Sequence, residues 1–363
     1  MPDKSLLSAI IALIIFGWIM SFSASLAHFN SYNWFFKQAV FIVAGLSAGL
    51  VILNTPISVL QKYSIPLFIL SLILLAVVFF PKIGHEVNGS YRWINFVFFK
   101  FQPSELMKLS MILFMAGFLI RQEKDVRKPW MGFVKTMAII FVADILVVTE
   151  KDIGATLIIS MTAMAMLFAA GTYLKQLAYF IPGAIITTSI ILYFEQNRVL
   201  RVMEYLTDPS QVHQTWQALI GIARGGWFGT GLGGGIQKYS LLPEPQTDMI
   251  FAIIGEELGI LGMLFVLLSY AYILGKGFNI AKIALKKGRK YSSYVAFGIC
   301  TWFAMQVTVN IGVNLGLLPV TGFTLPLISY GGSSLIISII SLAILLRVDM
   351  ESRTNYSKQI KYV

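Results

Sequence analysis

Apolar runs of about 17–22 residues recur along the whole chain, the length needed to cross a hydrocarbon core. They fall near 5–23, 36–54, 63–80, 104–121, 134–149, 153–171, 174–195, 250–274, 292–315 and 327–347. Backbone amides in lipid must be satisfied within the segment, so such runs are helices. The pattern predicts an all-α membrane protein of about ten transmembrane helices, with residues 1–363 forming a single polytopic domain. Two longer polar segments interrupt it, at about 81–103 and 196–249, the second lying between helices 7 and 8. That second segment contains Trp216, Trp227, Tyr239 and the apolar stretch Ala218 to Ile222, and is expected to pack on the membrane face as short or half-inserted helices. No internal repeat of the kind that builds secondary transporters is evident.

Composition agrees. The chain is 57% hydrophobic and only 12% charged, about half the charge of a soluble domain. The net charge of +11 is not a nucleic-acid footprint, because the basic residues sit in short loops, as Lys286, Lys287, Arg289 and Lys290 do. Together with Lys62, Arg121, Lys124, Arg127, Lys128, Lys175, Lys276, Lys282, Arg347, Arg353, Lys358 and Lys361 they mark one side of the membrane as cytoplasmic. Both termini are expected there, and both long segments outside. The first run, Leu6 to Met20, is read as a retained helix rather than a signal peptide. Cys300 lies in an apolar run, and no Cys/His metal cluster exists.

Ionisable groups at membrane depth each cost about 2.5–3.5 kcal/mol and require an account. Asp248 immediately precedes the eighth helix; it reads as an N-cap, and equally as a carboxylate that deprotonates a hydroxyl or holds a cation. Glu105 and Lys108 lie one turn apart and can pair. Arg92 follows a turn and reads as a phosphate ligand or, with Trp93, an interface anchor. Asp152 sits at a tight turn as a cap for the sixth helix, or at the depth of a pyrophosphate or metal. Asp144 is expected to bond another helix, and at least one of Glu256 and Glu257 to face a Lys or Arg. The glycines from Gly225 to Gly235 nominally contain G-x-G-x-x-G, but no strand precedes them, so close backbone approach or an anion nest is the better reading.

Several stretches in order resemble the SEDS family of peptidoglycan glycosyltransferases, over nearly the whole chain. They are Asn88 to Ile94, Phe101 to Lys108, Asp152 to Thr156, Ala218 to Gly233, Leu242-Pro243-Glu244-Pro245-Gln246-Thr247-Asp248, Gly255 to Gly259 and Leu318 to Ser334. Gln246 stands where the family commonly has His, and Lys151 where it commonly has Pro. The run Thr324 to Ser334 is more similar to the division branch than to the elongation branch. The resemblance implies a ten-helix fold in the bacterial cytoplasmic membrane, at the division septum, polymerising lipid II into glycan strands on the outer face. It implies Asp248 as the essential carboxylate, taking the proton of the acceptor GlcNAc 4-hydroxyl while undecaprenyl pyrophosphate leaves the donor with inversion. Arg92, Glu105, Lys108, Asp152, Gln246, Thr247, Ser329 and Tyr330 are the implied substrate-binding residues. A divalent cation, Mg or Mn, is expected at Asp248 or Asp152, with no organic cofactor. Expected partners are a class B penicillin-binding protein (a transpeptidase), other division proteins and membrane lipid. The alternatives are an elongation-type polymerase, a lipid II flippase or other transporter, and a non-catalytic scaffold.

Overall fold

The structure is a computed structural model that describes residues 2–26, 31–80, 83–87, 90–96, 100–126, 130–172, 213–239 and 241–353. In chain order its helices are α1 (Lys4–Ser25), α2 (Ser31–Asn54), α3 (Ile57–Val77), α4 (Pro103–Arg121), α5 (Glu123–Val126), α6 (Met131–Thr149), α7 (Ile153–Ala169), α8 (His213–Gly225), α9 (Ile250–Lys286), α10 (Lys290–Asn314) and α11 (Gly332–Arg353). Eight of them are long and apolar enough to cross a membrane, and α7 is a shorter apolar helix. The chain is a multi-pass membrane protein. The expected span at 174–195 lies outside the described residues.

The local chemistry of each helix end explains its start. Asp3 caps α1 by accepting the amides of Ser5 and Leu6. Pro103 occupies the first turn of α4, with Glu105 near the helix's positive end and Arg121 near its negative end. Asp152 caps α7 by accepting the amide of Ala155. Helices α4, α10 and α11 are buried over most of their length, whereas α2 and α3 turn most of their apolar residues outward. Val40, Val43, Leu50, Ile69 and Ile73 are exposed in this way, as lipid-facing side chains should be.

Besides earlier starts of α2, at Ser31 rather than 36, and of α3, at Ile57 rather than 63, three features depart from the expected segmentation. Residues 84–101 form an antiparallel sheet of β1 (Gly84–Val87), β2 (Ser90–Asn95) and β3 (Lys100–Phe101), in that order. Helix α9 continues to Lys286 rather than ending near 274, because its amphipathic last turns run on beside the first residues of the chain: Lys276 Nζ reaches Asp3 at 3.2 Å. Helix α11 starts at Gly332 rather than 327, since Leu325 to Tyr330 form turns that tuck back onto the loop before α9.

Alternation of helix direction sorts the connections onto two ends. One end holds the sheet, the α6–α7 turn, the glycine segment and residues 241–249. The other holds Asp3, the α2–α3 and α9–α10 turns and the end of α11, together with Arg121, Lys124, Lys287, Arg289, Lys290, Arg347 and Arg353.

The long helix α9 is broken at Gly259, whose φ of 66° and ψ of −162° no L-residue adopts readily. The glycine segment fills the break. Thr230 and Gly231 donate their amides to the carbonyls of Glu256 and Glu257, at 3.0 Å each, and Ile260 donates to Gly226 O at 2.9 Å. A Cβ on Gly259 would lie 2.5 Å from Gly229 N. Gly259→Ala is therefore expected to lower thermal stability in detergent severely, by more than about 2 kcal/mol. Gly275→Ala, in the same helix with nothing within 4 Å of a new Cβ, is expected to be neutral or to stabilise by up to about 1 kcal/mol. Comparable melting curves for the two variants would contradict this account.

Candidate active site

Asp248 lies one residue before the N-cap of α9, 8% exposed, beneath the half-buried Thr247 and the exposed Glu244. It is not the helix cap. The cap residue is Met249, with no side-chain cap bond, and the first-turn amide of Ala252 is accepted instead by Asn314 Oδ1 at 2.9 Å. The Asp248 carboxylate accepts from Thr247 Oγ1 at 3.1 Å. The same hydroxyl stands 3.4 Å from Glu244 Oε2. Burial raises the Asp248 carboxyl to about 6, helped by the neighbouring Glu244 charge and opposed by the Thr247 bond and backbone amides.

A ladder of amides on α10 fixes the backbone beneath this carboxylate. Gln306, Asn310 and Asn314 are four residues apart and share one helix face. Asn310 Nδ2 and Asn314 Nδ2 both donate to Asp248 O, at 2.9 Å each. Asn310 Nδ2 also donates to Phe323 O. One turn along, Gln306 Nε2 donates to Thr324 O at 2.9 Å, and Gln306 Oε1 accepts from Lys108 Nζ at 3.1 Å and Trp302 Nε1 at 2.7 Å. Lys108 Nζ in turn donates to Glu105 Oε1 at 2.8 Å and stands 5.0 Å above the Trp302 ring. Both members of that ion pair are buried, and Glu105 Oε2 has no partner among the described residues. Asp248, through its own carbonyl, and Lys108, through Gln306 Oε1, are thus tied to successive turns of one helix.

The remaining implied residues divide. Ser329 and Tyr330 hold the loop that carries Asp248: Ser329 Oγ donates to Thr247 O, and Tyr330 N donates to Gln246 O at 2.8 Å. The Tyr330 ring packs on Trp34 at 4.5 Å. Gln246 is buried and directs Nε2 toward Glu244 Oε2 at 3.4 Å. Arg92 donates to Glu150 O at 3.1 Å and to Lys151 O, which pins the sheet to the α6–α7 turn and leaves further guanidinium N–H donors beyond these two bonds. Asp152 is consumed. Its Oδ1 accepts from Ala155 N at 3.1 Å, and its Oδ2 from Gln102 Nε2 and Ser104 Oγ at 3.0 and 3.1 Å. A carboxylate with three donors is a structural cap and does not fit a metal.

Other charges in the bundle are structural. Asp144 accepts from Ser160 of α7. Glu256 accepts from Arg224 of α8 at 3.1 Å and from the amides of Ile236 and Gln237. Glu257 accepts from Lys238 Nζ at 2.6 Å, Ser23 Oγ and Gly233 N. Where the sequence left an anion nest open, the chain's own carboxylates fill the segment: Glu257 accepts from Gly233 N, and Glu256 from the successive amides of Ile236 and Gln237 just after it. Lys238, Glu244 and the amide ladder were absent from the sequence-derived site. The ladder had a signal, since three amide side chains recurring every fourth residue in an apolar run each need a buried partner.

As for a divalent cation, no group of three or more His, Cys, Asp or Glu stands together among the described residues. Mg2+ does not need one where substrate phosphates complete its shell, and one or two carboxylates suffice. Asp248 with Glu244 fits that requirement.

An apolar helical bundle with a buried carboxylate at one end, above a connected set of buried polar side chains, defines a polytopic membrane protein with a candidate polar site there. The chain belongs to the FtsW/RodA/SpoVE family, described as cell cycle proteins, whose profile matches residues 4–354. It is 42% identical to the probable peptidoglycan glycosyltransferase FtsW of Legionella pneumophila, over 97% of this chain and 91% of that one. It is 39% identical to the protein of the same name from Marinomonas mediterranea, over 97% and 89%. Among solved structures, one reported under structural coordination of polymerization and crosslinking by a peptidoglycan synthase complex superposes with a TM-score of 0.81 at 26% identity, over 98% of this chain and 99% of that one. A mutant of the rod shape determining protein RodA from Thermus thermophilus superposes at 0.73 and 25% identity, over 98% and 99%.

The buried pair makes its own demand on stability. Lys108→Met strands Glu105 and is expected to cost about 3–5 kcal/mol. Glu105→Gln combined with Lys108→Met is expected to recover much of that loss, since no uncompensated charge remains. A double-mutant cycle of detergent melts measures the coupling; additive losses would show that the pair is not an energetic unit.

Proposed function

We propose that this protein is a peptidoglycan glycosyltransferase that polymerises lipid II at the outer face of the cytoplasmic membrane, for septal synthesis in cell division. Its relatives' names support the reaction class. Their shared division-type name at 38–42% identity favours the division role over elongation. The observation that carries the reading is Asp248, a carboxylate raised to about 6 by burial at the end of the bundle opposite the basic loops. Lys and Arg concentrate on the cytoplasmic side of membrane proteins, so this end faces outward and both termini face the cytoplasm.

The chemistry follows from the groups at that end. Asp248 takes the proton of the acceptor sugar hydroxyl as the oxygen attacks the anomeric carbon of the donor. A carboxylate with a raised pKa is a stronger base than a solvated one, yet is still mostly ionised at neutral pH. The bond to undecaprenyl pyrophosphate breaks with inversion, and the leaving group carries its own negative charge away, so a second carboxylic acid is not required. Lys108, neutralised by Glu105 at 2.8 Å, holds the Gln306 end of the amide ladder in place beneath the site. A divalent cation held by Asp248 and Glu244 would neutralise the departing pyrophosphate. The Thr247 hydroxyl, between those two carboxylates, orients Asp248. The structural similarity to a protein solved in work on a peptidoglycan synthase complex supports a class B penicillin-binding protein as the working partner.

The test is direct. The purified protein with its cognate transpeptidase, lipid II and Mg2+ or Mn2+ is expected to yield glycan strands. Asp248→Asn is expected to lower the rate by about 10²–10⁴-fold while melting like the parent. Polymer at the parental rate from that variant would eliminate Asp248 as base, and absence of polymer under every condition would favour transport or scaffolding. The base must be ionised to act, so kcat/KM is expected to fall as pH drops through about 6. A flat profile between pH 5 and about 7.5 would contradict the assignment.

A further inference from the structure

At the basic end of the bundle, remote from Asp248, a cavity of about 490 Å³ opens between α3, α4, the α9–α10 turn and the end of α11. Its polar lining includes Ser58, Gln61, Arg289, Lys290, Ser292 and Glu351. The volume falls within the range of small-ligand sites, and its chemistry selects for an anion. Arg289 is the N-cap residue of α10 but supplies no side-chain cap. The amides of Lys290, Tyr291 and Ser292 in that first turn therefore have no intrahelical acceptor, and all three residues line the cavity. Helix α3 also begins here without a side-chain cap. Its first amide, on Ile57, donates to Glu351 Oε1 at 2.9 Å, so one carboxylate is already seated on a helix N-terminus at this spot.

That carboxylate does not repel a second anion strongly, because Arg347 Nε also donates to it, at 3.0 Å. Arg289 donates to Glu351 O and Lys290 pairs with Glu123 at 2.7 Å. Arg121 and Lys287, both exposed, are the chain neighbours of the lining residues Ile120 and Gly288. The local field is positive despite the two carboxylates. The surroundings identify the source of the anion. Beyond the cavity, on the same face of α3 as Gln61, Ile65 and Ile69 are 41% and 50% exposed, a track along which acyl chains can lie while a headgroup sits in the cavity.

We propose that this cavity binds the phosphate-bearing headgroup of an anionic membrane lipid, with Arg289, Lys290 and the first-turn amides of α10 as the phosphate donors and Ser58 and Gln61 as headgroup contacts. The site is independent of the chemistry at Asp248. Basic pockets between transmembrane helices on the cytoplasmic side suit such headgroups, and each cation near the surface is worth about 1 kcal/mol.

The experiment is native mass spectrometry on the purified full chain in detergent, with phosphatidylglycerol, phosphatidylcholine of the same acyl chains, or glycerol phosphate added. Phosphatidylglycerol is expected to be retained over phosphatidylcholine, and glycerol phosphate to bind far more weakly than either the lipid or its headgroup charge alone would suggest, because it lacks chains. The double variant Arg289→Gln with Lys290→Gln is expected to weaken phosphatidylglycerol binding about thirtyfold. Ser58→Trp with Gln61→Trp fills the cavity without changing its charge and is expected to abolish the preference, with an unchanged melting temperature in lipid-free detergent. Equal retention of the two lipids by the parent protein would overturn the proposal. So would a phosphatidylglycerol preference that survives the tryptophan variant, even if the glutamine variant fails to fold. Glycerol phosphate competing as well as the lipid would reassign the cavity to a soluble phosphate ester.

Discussion

Two adjacent carboxylates buried in the first turns of α9 hold the Asp248 end of this molecule together. Glu256 and Glu257 are fully buried, and an unpaired charge there would cost several kcal/mol. Each is matched by one cation and by backbone or hydroxyl donors, Glu256 by Arg224 and two amides, Glu257 by Lys238, Ser23 and the amide of Gly233. The donors come from α8, the glycine segment and α1, so satisfying the charges forces those elements into one place. The break at Gly259 is the geometric counterpart. It turns part of α9's backbone into acceptors and donors for the glycine segment, which only residues without a Cβ can approach closely enough. With α9 anchored this way, the residue two positions before it, Asp248, has a fixed depth.

The same accounting governs the interior. An apolar bundle tolerates Gln306, Asn310, Asn314, Lys108 and Glu105 only as a connected set. Their connections run from the Glu105 carboxylate through Lys108 and Gln306 to the Thr324 carbonyl, and from Phe323 O through Asn310 to the Asp248 carbonyl. The set also stitches the re-entrant turn at Leu325 to Tyr330 against the loop before α9. Position and charge are thereby specified by the same atoms.

The apolar period made the membrane-spanning helices legible, and the charge bias of short loops distinguishes the two ends of the bundle. Pairing of Glu105 with Lys108 followed from helical spacing, and the close approach of the glycine segment from its composition. Other features depended on partners far away in the chain. Nothing local to Arg92 says that Glu150 and Lys151 carbonyls will meet it, and nothing local to Asp152 says that Gln102 and Ser104 will occupy the oxygen its own helix leaves over. Asp248 looked like a cap because it precedes a helix, but Asn314, 62 residues away from the amide it accepts, had already taken that role. The sheet escaped notice because its strands are short and one is only two residues long, too brief for an alternating pattern to register.

Relieving Asp248 of the capping duty is what leaves it chemically available. A cap carboxylate accepts amide bonds that stabilise its ionised form and make it a weaker base. Asn314 takes the helix amide while Asn310 and Asn314 take the Asp248 carbonyl, so the backbone is held and the carboxylate is bonded only by the Thr247 hydroxyl and the amides of its own and the next residue. Glu150 illustrates the opposite outcome within the same end of the bundle. Fully buried beside Asp152, it is pushed up to about 9 by desolvation first and the Asp152 charge second, against the lowering effect of Arg92. It is a neutral acid at pH 7 and cannot accept a proton there. Asp248, one residue from exposed surface and served by the Thr247 hydroxyl, stops at about 6, where the ionised form predominates at neutral pH and retains more basicity than a solvated aspartate. Hydrogen-bond donors and neighbouring charge, not residue type, separate a neutral acid from a candidate base in this protein.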